Sequence, residues 1–599
     1  MEEPVDAHTS RGYQQPRSFS SCNHDSNARR ILLAADEFVT PYRLDHVRDV
    51  IRKGALLADD PSDWERVEGL APSEESALIK ERNNYLSLSS MFVMSCVFPL
   101  VYAIICGYTS APLAFPYMFP YHFGGLLPGS HLGVMLQYIP FLSSTLVVCW
   151  LTPTLNRLWG RRGAMLAGSI GTFIAAVLLL SNSTFDSSWV KIVLAITFSI
   201  LERMSVGLTT CTCLIYLAEI CPSAARGSIL TLYPLGMSIG YTLTSAGTII
   251  LDGDQSVSPQ LSTAFDLILK GGCPFLILLG WESPRWYARQ GYWDKAFESL
   301  RRLRTSDILA ARDLYHIHTW YKEKEAAFEQ QHSTFSKCSS RLLVDPHMRR
   351  ATLASVSVMV AGSLAGTGLT TAALVHVAYA CRLTMRFCVL IVPITTLVFV
   401  VTKAGLPRLP RRQLYLASLF FIFCISFALC FIPPLAFQLP TLILLCISSV
   451  ISVVGLGLVS FLYAAEVFPP SHRDVGVALS ICIYQICQIL VAAFIFLVWG
   501  KIDFHILTWV LTVVNLLSLL AVYLFMRESK QYTLEEMQST FKMSTREFIV
   551  YRLRTDFINP FQRYVLRRRV RVQPVEAQGI ASYSVPYTDE EAVSLASQP

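Results

Sequence analysis

Tyr216-Leu-Ala218-Glu219-Ile-Cys-Pro222-Ser-Ala-Ala-Arg226 and Tyr463-Ala-Ala465-Glu466-Val-Phe-Pro469-Pro-Ser-His-Arg473 repeat one pattern, Tyr-x-Ala-Glu-x-x-Pro-x-x-x-Arg, 247 residues apart. Each copy follows an arginine pair, Arg161-Arg162 or Arg411-Arg412, and precedes a Glu-Ser pair, Glu282-Ser283 or Glu528-Ser529. The second arginine lies 57 or 54 residues before the motif glutamate, and the next glutamate follows 63 or 62 residues later. Spaced charges recurring in one order between apolar segments mark a duplicated chain whose halves move against each other. That is the pattern of a transporter.

Composition agrees. Of 599 residues, 53% are hydrophobic and 16% charged, and the apolar runs reach the roughly 20 residues that cross a bilayer. The N-terminus is polar with no apolar core before about Tyr85, so no cleavable signal peptide is expected. The 16 cysteines are scattered, many inside apolar runs, with no metal-ligand spacing and no dense disulfide framework. The net charge of +7 sits in short loops and the C-terminal tail. Membrane topology and anionic lipid account for it better than nucleic acid does. No nucleophile–base set, metal spacing or phosphate loop is evident, so neither an enzyme nor a cofactor is expected.

Twelve apolar segments follow a polar stretch: 86–108, 131–155, 164–181, 190–217, 228–250, 264–281, 351–378, 385–402, 413–432, 439–464, 475–499 and 504–526. They divide the chain into a cytosolic tail (1–85), a six-helix bundle (86–281), a charged central loop with short amphipathic helices (282–350), a second bundle (351–526) and a C-terminal tail (527–599). Arg157, Arg161 and Arg162 in one loop, with Lys403, Arg408, Arg411 and Arg412 in its counterpart, put both termini and the central loop in the cytosol. Asn182-Ser-Thr184 is then a glycosylation sequon on the far side. The segment 264–281, which contains Lys270, reads as short or tilted. Arg563, Arg567, Arg568, Arg569 and Arg571 form a basic patch in the tail, suited to the inner leaflet.

The matched halves and Trp281-Glu-Ser-Pro-Arg-Trp286 resemble the sugar-porter branch of the major facilitator superfamily, whose pattern is Pro-Glu-Ser-Pro-Arg-Trp. Glu528-Ser-Lys530 with Leu534-Glu-Glu536 is similar to that family's closing motif. Val47 to Ala55, Ala310 to Tyr315 and Arg473-Asp-Val-Gly476 resemble filamentous-fungal members. The resemblance covers residues 40–555. It implies an all-α membrane protein of the major facilitator fold, twelve transmembrane helices in two pseudo-symmetric six-helix bundles that expose a central cavity alternately to each face. It further implies a multi-pass protein of the plasma membrane, working as a monomer on a small-molecule solute. Arg161, Arg162, Glu219, Arg226, Glu282, Arg285, Arg411, Arg412, Glu466 and Arg473 would form a cytosolic gate of charge pairs. The family's usual Asp before each arginine pair is replaced near Asn156 and Gly405, so the gate lacks some acidic members.

The substrate positions depart from the family. Its Gln-Gln-x-x-Gly-x-Asn in the seventh helix aligns with Gly362-Ser363-Leu-Ala-Gly366-Thr367-Gly368, and its fifth-helix glutamine with Pro234, after Tyr233. The tenth-helix Gly-Pro-x-Pro becomes Gly457-Leu-Val-Ser460, which predicts the loss of two kink points before Tyr463. The eleventh helix keeps amides as Gln485 and Gln488. Sugar-hydroxyl discrimination built on the missing amides is lost with them, so an ordinary hexose is disfavoured. The family's proton-coupling Asp and Arg fall on Thr109 and Ser199; both charges are absent, which predicts facilitated diffusion. The cavity candidates are therefore Thr109, Ser199, Tyr233, Ser363, Thr367, Tyr463, Gln485 and Gln488. Glu202 and Arg203 add intramembrane charge: a displaced proton site and an anion-binding group on one reading, an interhelical ion pair on another.

Three functions stay open at this point. One is a transporter of a sugar, polyol or related metabolite, with a quinate-like or inositol-like solute among the options. The others are a non-transporting nutrient sensor and an exporter of a secondary metabolite.

Overall fold

The computed structural model describes residues 20–42, 44–59, 67, 69–83, 89–114, 131–181, 188–222, 225–251, 258–328, 342–368, 370, 394, 396–398, 400, 409–432, 438–498, 504–530 and 537–558. Among these, the regular structure is helical, with no strand. Asn182 and the basic patch from Arg563 to Arg571 lie outside the described residues, as does most of the predicted eighth segment.

Three helices precede the membrane: α1 (Ser20–Val39), α2 (Arg48–Asp59) and α3 (Pro72–Asn83). The first half comprises α4 (Ser90–Ala114), α5 (His131–Leu158), α6 (Gly160–Ser181), α7 (Ser188–Ile220), the short α8 (Arg226–Leu230) running into α9 (Leu232–Leu251), and α10 (Ser258–Leu279). The central loop supplies α11 (Pro284–Arg289), α12 (Trp293–Leu303) and α13 (Asp307–Phe328). In the second half α14 (Pro346–Ala361) runs into a π-helical stretch, Gly362–Gly368; α15 (Arg411–Leu429) follows. Then come α16 (Gln438–Ile451), a second π stretch, Ser452–Gly457, α17 (Leu458–Val467), α18 (Arg473–Val498), α19 (Phe504–Phe525) and α20 (Thr545–Leu553). Among the described residues, seven helices are by themselves long and apolar enough to cross a bilayer.

Three expectations change. Segment 264–281 is not short: α10 has 22 residues, about 33 Å at 1.5 Å per residue. Lys270 is tolerated there because it pairs with carboxylates. The tenth segment is not a plain helix without its prolines: a π stretch, Ser452–Gly457, ends just before their positions and lies against the π stretch of the seventh segment, Gly362–Gly368. Finally, the N-terminal stretch does not stand apart from the central loop. Phe38, Ile51, Trp293, Phe297 and Leu314 share one buried core. Asp36 pairs with Arg52 at 2.6 Å, and Arg312 with Glu81 at 2.8 Å. Burial opposes ionisation of Asp313, but Arg304 and Arg312 outweigh it and hold its carboxyl below the ordinary value.

Inside the membrane, small residues let backbones approach. Gly107 and Gly240 bring α4 against α9 so closely that an added Cβ would meet Met237 O at 2.0 Å or Ile104 O at 2.1 Å. Between the halves, α5 lies against α18.

Candidate functional site: a charge cluster and a polar seam

The repeated motifs meet the arginine loops at one end of the helices, the end that arginine placement predicts to be cytosolic. In the first half, Glu282 caps the start of α6: its carboxylate accepts from the amides of Arg161 (2.9 Å) and Arg162 (3.0 Å). Orphan amides and the positive end of the helix dipole both favour a carboxylate there. The turn needs a glycine. Gly160 has φ +78°, and a Cβ on it would sit 2.4 Å from Glu282 Oε2. Burial raises the Glu282 carboxyl above its ordinary value, against the pull of the Ser283 amide, Arg161 and the Arg162 amide. Ser283 Oγ donates to Glu219 Oε2 (2.5 Å), and Arg161 Nη2 to Glu219 Oε1 (2.8 Å).

The second half repeats the plan. Glu528 accepts from the amides of Arg411 (3.0 Å) and Arg412 (3.1 Å), Ser529 Oγ donates to Glu466 Oε2 (2.7 Å), and Arg411 Nη2 lies 3.5 Å from Glu466 Oε1. Arg162 donates to Ile277 O and Leu278 O at the end of α10, as Arg412 does to Met526 O and Tyr523 O at the end of α19. The motif tyrosines follow suit: Tyr216 donates to Trp281 O (2.6 Å), and Tyr463 accepts from the Arg527 amide (3.1 Å). Tyr463, a cavity candidate from the sequence, has its hydroxyl taken up by the Arg527 amide just past the end of α19.

An acid that the spacing argument missed joins the two halves. Asp474 of α18 accepts from Arg161 Nη2 at 3.0 Å and pairs with Arg289 at 3.2 Å, so one carboxylate of the second half bridges two arginines of the first half and central loop. Arg473 lies 3.9 Å from Glu219, also across the halves, and is fully buried. Asn156 accepts from Thr212 through its side chain (3.0 Å) and from Arg161 through its carbonyl (3.3 Å). Arg285 donates to Glu219 O, capping the end of α7. Arg226 is buried at the start of α8, and the Arg411 guanidinium crosses to Gly227 beside it.

Deeper in, polar groups of the two halves meet along a seam. Thr145 of α5 donates to Gln485 Oε1 of α18 (3.3 Å), and Cys482 donates to Thr145 O. Gln485 is 12 residues past Arg473, about 18 Å along the helix. Ser238 and Thr242 meet Thr396 at 2.7 and 2.8 Å. Tyr233 of α9 packs on Phe461 of α17 (6.1 Å between ring centres), which packs on Tyr484 (5.1 Å), and Gln488 donates to Tyr484 (3.1 Å). Thr109 is buried with its hydroxyl on Cys106 O, Ser199 is half-buried on α7, and Ser363 is buried in the first π stretch, which also contains Thr367. Glu202 and Arg203 part company. Glu202 accepts from Lys270 Nζ (2.6 Å), which also holds Asp266, whereas Arg203 donates to Thr109 O and lies 4.1 Å over the Phe141 ring.

Residues 86–541 match the model of the family described as "Sugar (and other) transporter". The chain belongs to this family. It is 23% identical to the galactose-proton symporter of Escherichia coli K12 over 458 residues, 69% of this chain and 91% of the relative. It is likewise 23% identical to the putative metabolite transport protein YfiG of Bacillus subtilis over 468 residues, 71% and 91% of the two chains. The proton:xylose symporter XylE bound to 6-bromo-6-deoxy-D-glucose superposes with a TM-score of 0.60 at 16% identity, over 76% of this chain and 99% of that one. The sugar porter thus has the major facilitator fold and is a multi-pass membrane protein.

Proposed function

We propose that this sugar porter carries a small hydroxylated solute by alternating access, as a uniporter without the family's Asp/Arg proton pair, at the plasma membrane and as a monomer. The observation that carries the reading is the two-tier arrangement between the halves: ion pairs across the cytosolic face, and a polar seam about 18 Å deeper. The lower tier is a latch of separable charges. The upper tier offers Gln485, Gln488, Tyr484 and Thr145 as hydrogen-bonding groups. Thr109 and Ser199 at the coupling positions support uncoupled transport, since neither titrates near neutrality. Sensor and exporter readings are not favoured, because relatives matched along nine-tenths of their length are a proton symporter and a transport protein by description.

The test is solute uptake by the expressed protein in yeast lacking its own hexose transporters, with and without a protonophore. Downhill, saturable uptake that survives the protonophore is expected. Uptake abolished by it would overturn the uniport reading.

A further inference from the structure

Arg203 lies near the middle of α7, 15 residues from Ser188 and 16 from Glu219, a depth of about 22–24 Å from either end. An arginine there is costly in a membrane and ordinarily finds a carboxylate. This one does not. It makes no ion pair among the described residues; its single hydrogen bond goes to the Thr109 carbonyl, and its guanidinium covers Phe141.

The sequence explains why. Across the twelve apolar segments, including the parts outside the described residues, there are two carboxylates, Glu202 and Asp266. Lys270 holds both. That cluster and Arg203 face different ways: neighbouring helix positions diverge by about 100°, so Glu202 faces α10 while Arg203 faces α4 and α5.

Arg203 is also placed to meet a solute. It is half-buried rather than sealed, and it reaches the backbone of Thr109, the position where the coupling acid is missing. Phe141, under the guanidinium, lies one turn of α5 before Thr145, whose hydroxyl bonds both Phe141 O (2.7 Å) and Gln485 Oε1 (3.3 Å), which ties the cation to the polar seam. A guanidinium with one N–H committed to a carbonyl keeps others for a second acceptor, and a planar carboxylate matches its fork.

We infer that Arg203 binds an anionic group of the transported solute, so that the cargo is a carboxylate-bearing polyhydroxylated molecule, a sugar acid, rather than a neutral hexose. This rests on the transport reading above. The anion supplies the counter-charge that the described residues do not, and the seam amides meet the hydroxyls.

D-Glucuronate is the probe, with D-glucose as its neutral counterpart. The full-length protein is purified in lipid nanodiscs, ligand affinity is read from thermal stabilisation, and flux is read in proteoliposomes. D-Glucuronate should stabilise the wild type and D-glucose should not. Arg203→Gln should weaken the D-glucuronate effect about tenfold or more, as expected for losing a charged hydrogen bond. Arg203→Lys should fall between, keeping the charge but not the fork. If Arg203→Gln is not monodisperse, the ratio of D-glucuronate affinities between wild type and Arg203→Lys decides, and equal affinities overturn the inference. Absence of D-glucuronate binding also overturns it, as does flux of D-glucose that Arg203→Gln leaves unchanged, although that flux would uphold transport. Binding of D-glucuronate that depends on Arg203 but comes with no flux would uphold the anion site and overturn the transport reading.

Discussion

Arg161 Nη2 lies 3.0 Å from Asp474 Oδ1, which joins the third spanning helix of one half to the eleventh of the other through side chains that are almost wholly buried. The same Nη2 is 2.8 Å from Glu219 within its own half, so the arginine is shared between a partner in its own half and one in the other, which on the proposed alternating-access reading parts when this face opens. Asp474→Asn removes the leaving partner while Arg161 keeps Glu219. The closed face should lose about 1–3 kcal/mol, less than for a buried charge left wholly unpaired. Hydrogen–deuterium exchange over residues 156–165 and 473–480 should speed up about tenfold or more. Unchanged exchange would show that Asp474 does not hold the gate.

The within-half part of this gate was legible in the sequence because duplication copies contacts at matched spacing. Glu219 with Ser283, and Glu466 with Ser529, were readable as one contact made twice. Contacts between halves have no such signature. Arg161 and Asp474 are 313 residues apart, and Asp474 has no counterpart after Arg226, where Gly227 stands. The fold was legible from apolar length and arginine placement. The π stretches were not, since a change of hydrogen-bond register is announced by no residue type. The pairing of Lys270 was hidden for a different reason: a lone charge in a short apolar run reads as a weak span until its partner on another helix is known.

His318 gives the cytosolic helices a pH dependence. Its ring lies among Phe38 (3.9 Å), Trp293 (5.4 Å) and Tyr315 (6.2 Å). Burial, with help from Lys322, lowers its pKa to about 4 from an ordinary 6.5. The folded state therefore refuses a proton that the unfolded state accepts. The stability this histidine contributes is complete above pH 6.5 and is lost as pH falls from 6.5 toward 4, by about 2–3 kcal/mol at most. Trp293 emission should report cooperative loosening of these helices in that window. His318→Phe should flatten the dependence there; a slope that survives the substitution would assign it to other groups.

Two glycines in the first half should respond oppositely to the same methyl group. Gly107→Ala drives a Cβ to 2.0 Å from the backbone oxygen of Met237, which cannot swing aside, so α4 and α9 must part at a cost of about 1–3 kcal/mol or more. Gly272→Ala on α10 meets nothing within 4 Å, and should be neutral within about 0.5 kcal/mol. Thermal midpoints of detergent-purified protein separate the two. Equal midpoints would mean that α4 and α9 are not so closely apposed.

Lys270 presents the sharpest energetic contrast in the membrane. It is 1% exposed and holds Glu202 and Asp266 together, so Lys270→Met leaves two carboxylates facing each other in a nonpolar setting. Removing one member of a buried ionic cluster costs about 3–5 kcal/mol, most of it from the charges left behind. The double variant Lys270→Met with Glu202→Gln removes one of those charges and should recover part of the loss, although Glu202→Gln alone is destabilising. Such non-additivity is the signature of a direct interaction. If the three variants are additive in thermal stability, Glu202 and Lys270 do not form the pair seen here. If Lys270→Met is as stable as the wild type but loses flux, the cluster serves transport rather than the integrity of the first bundle.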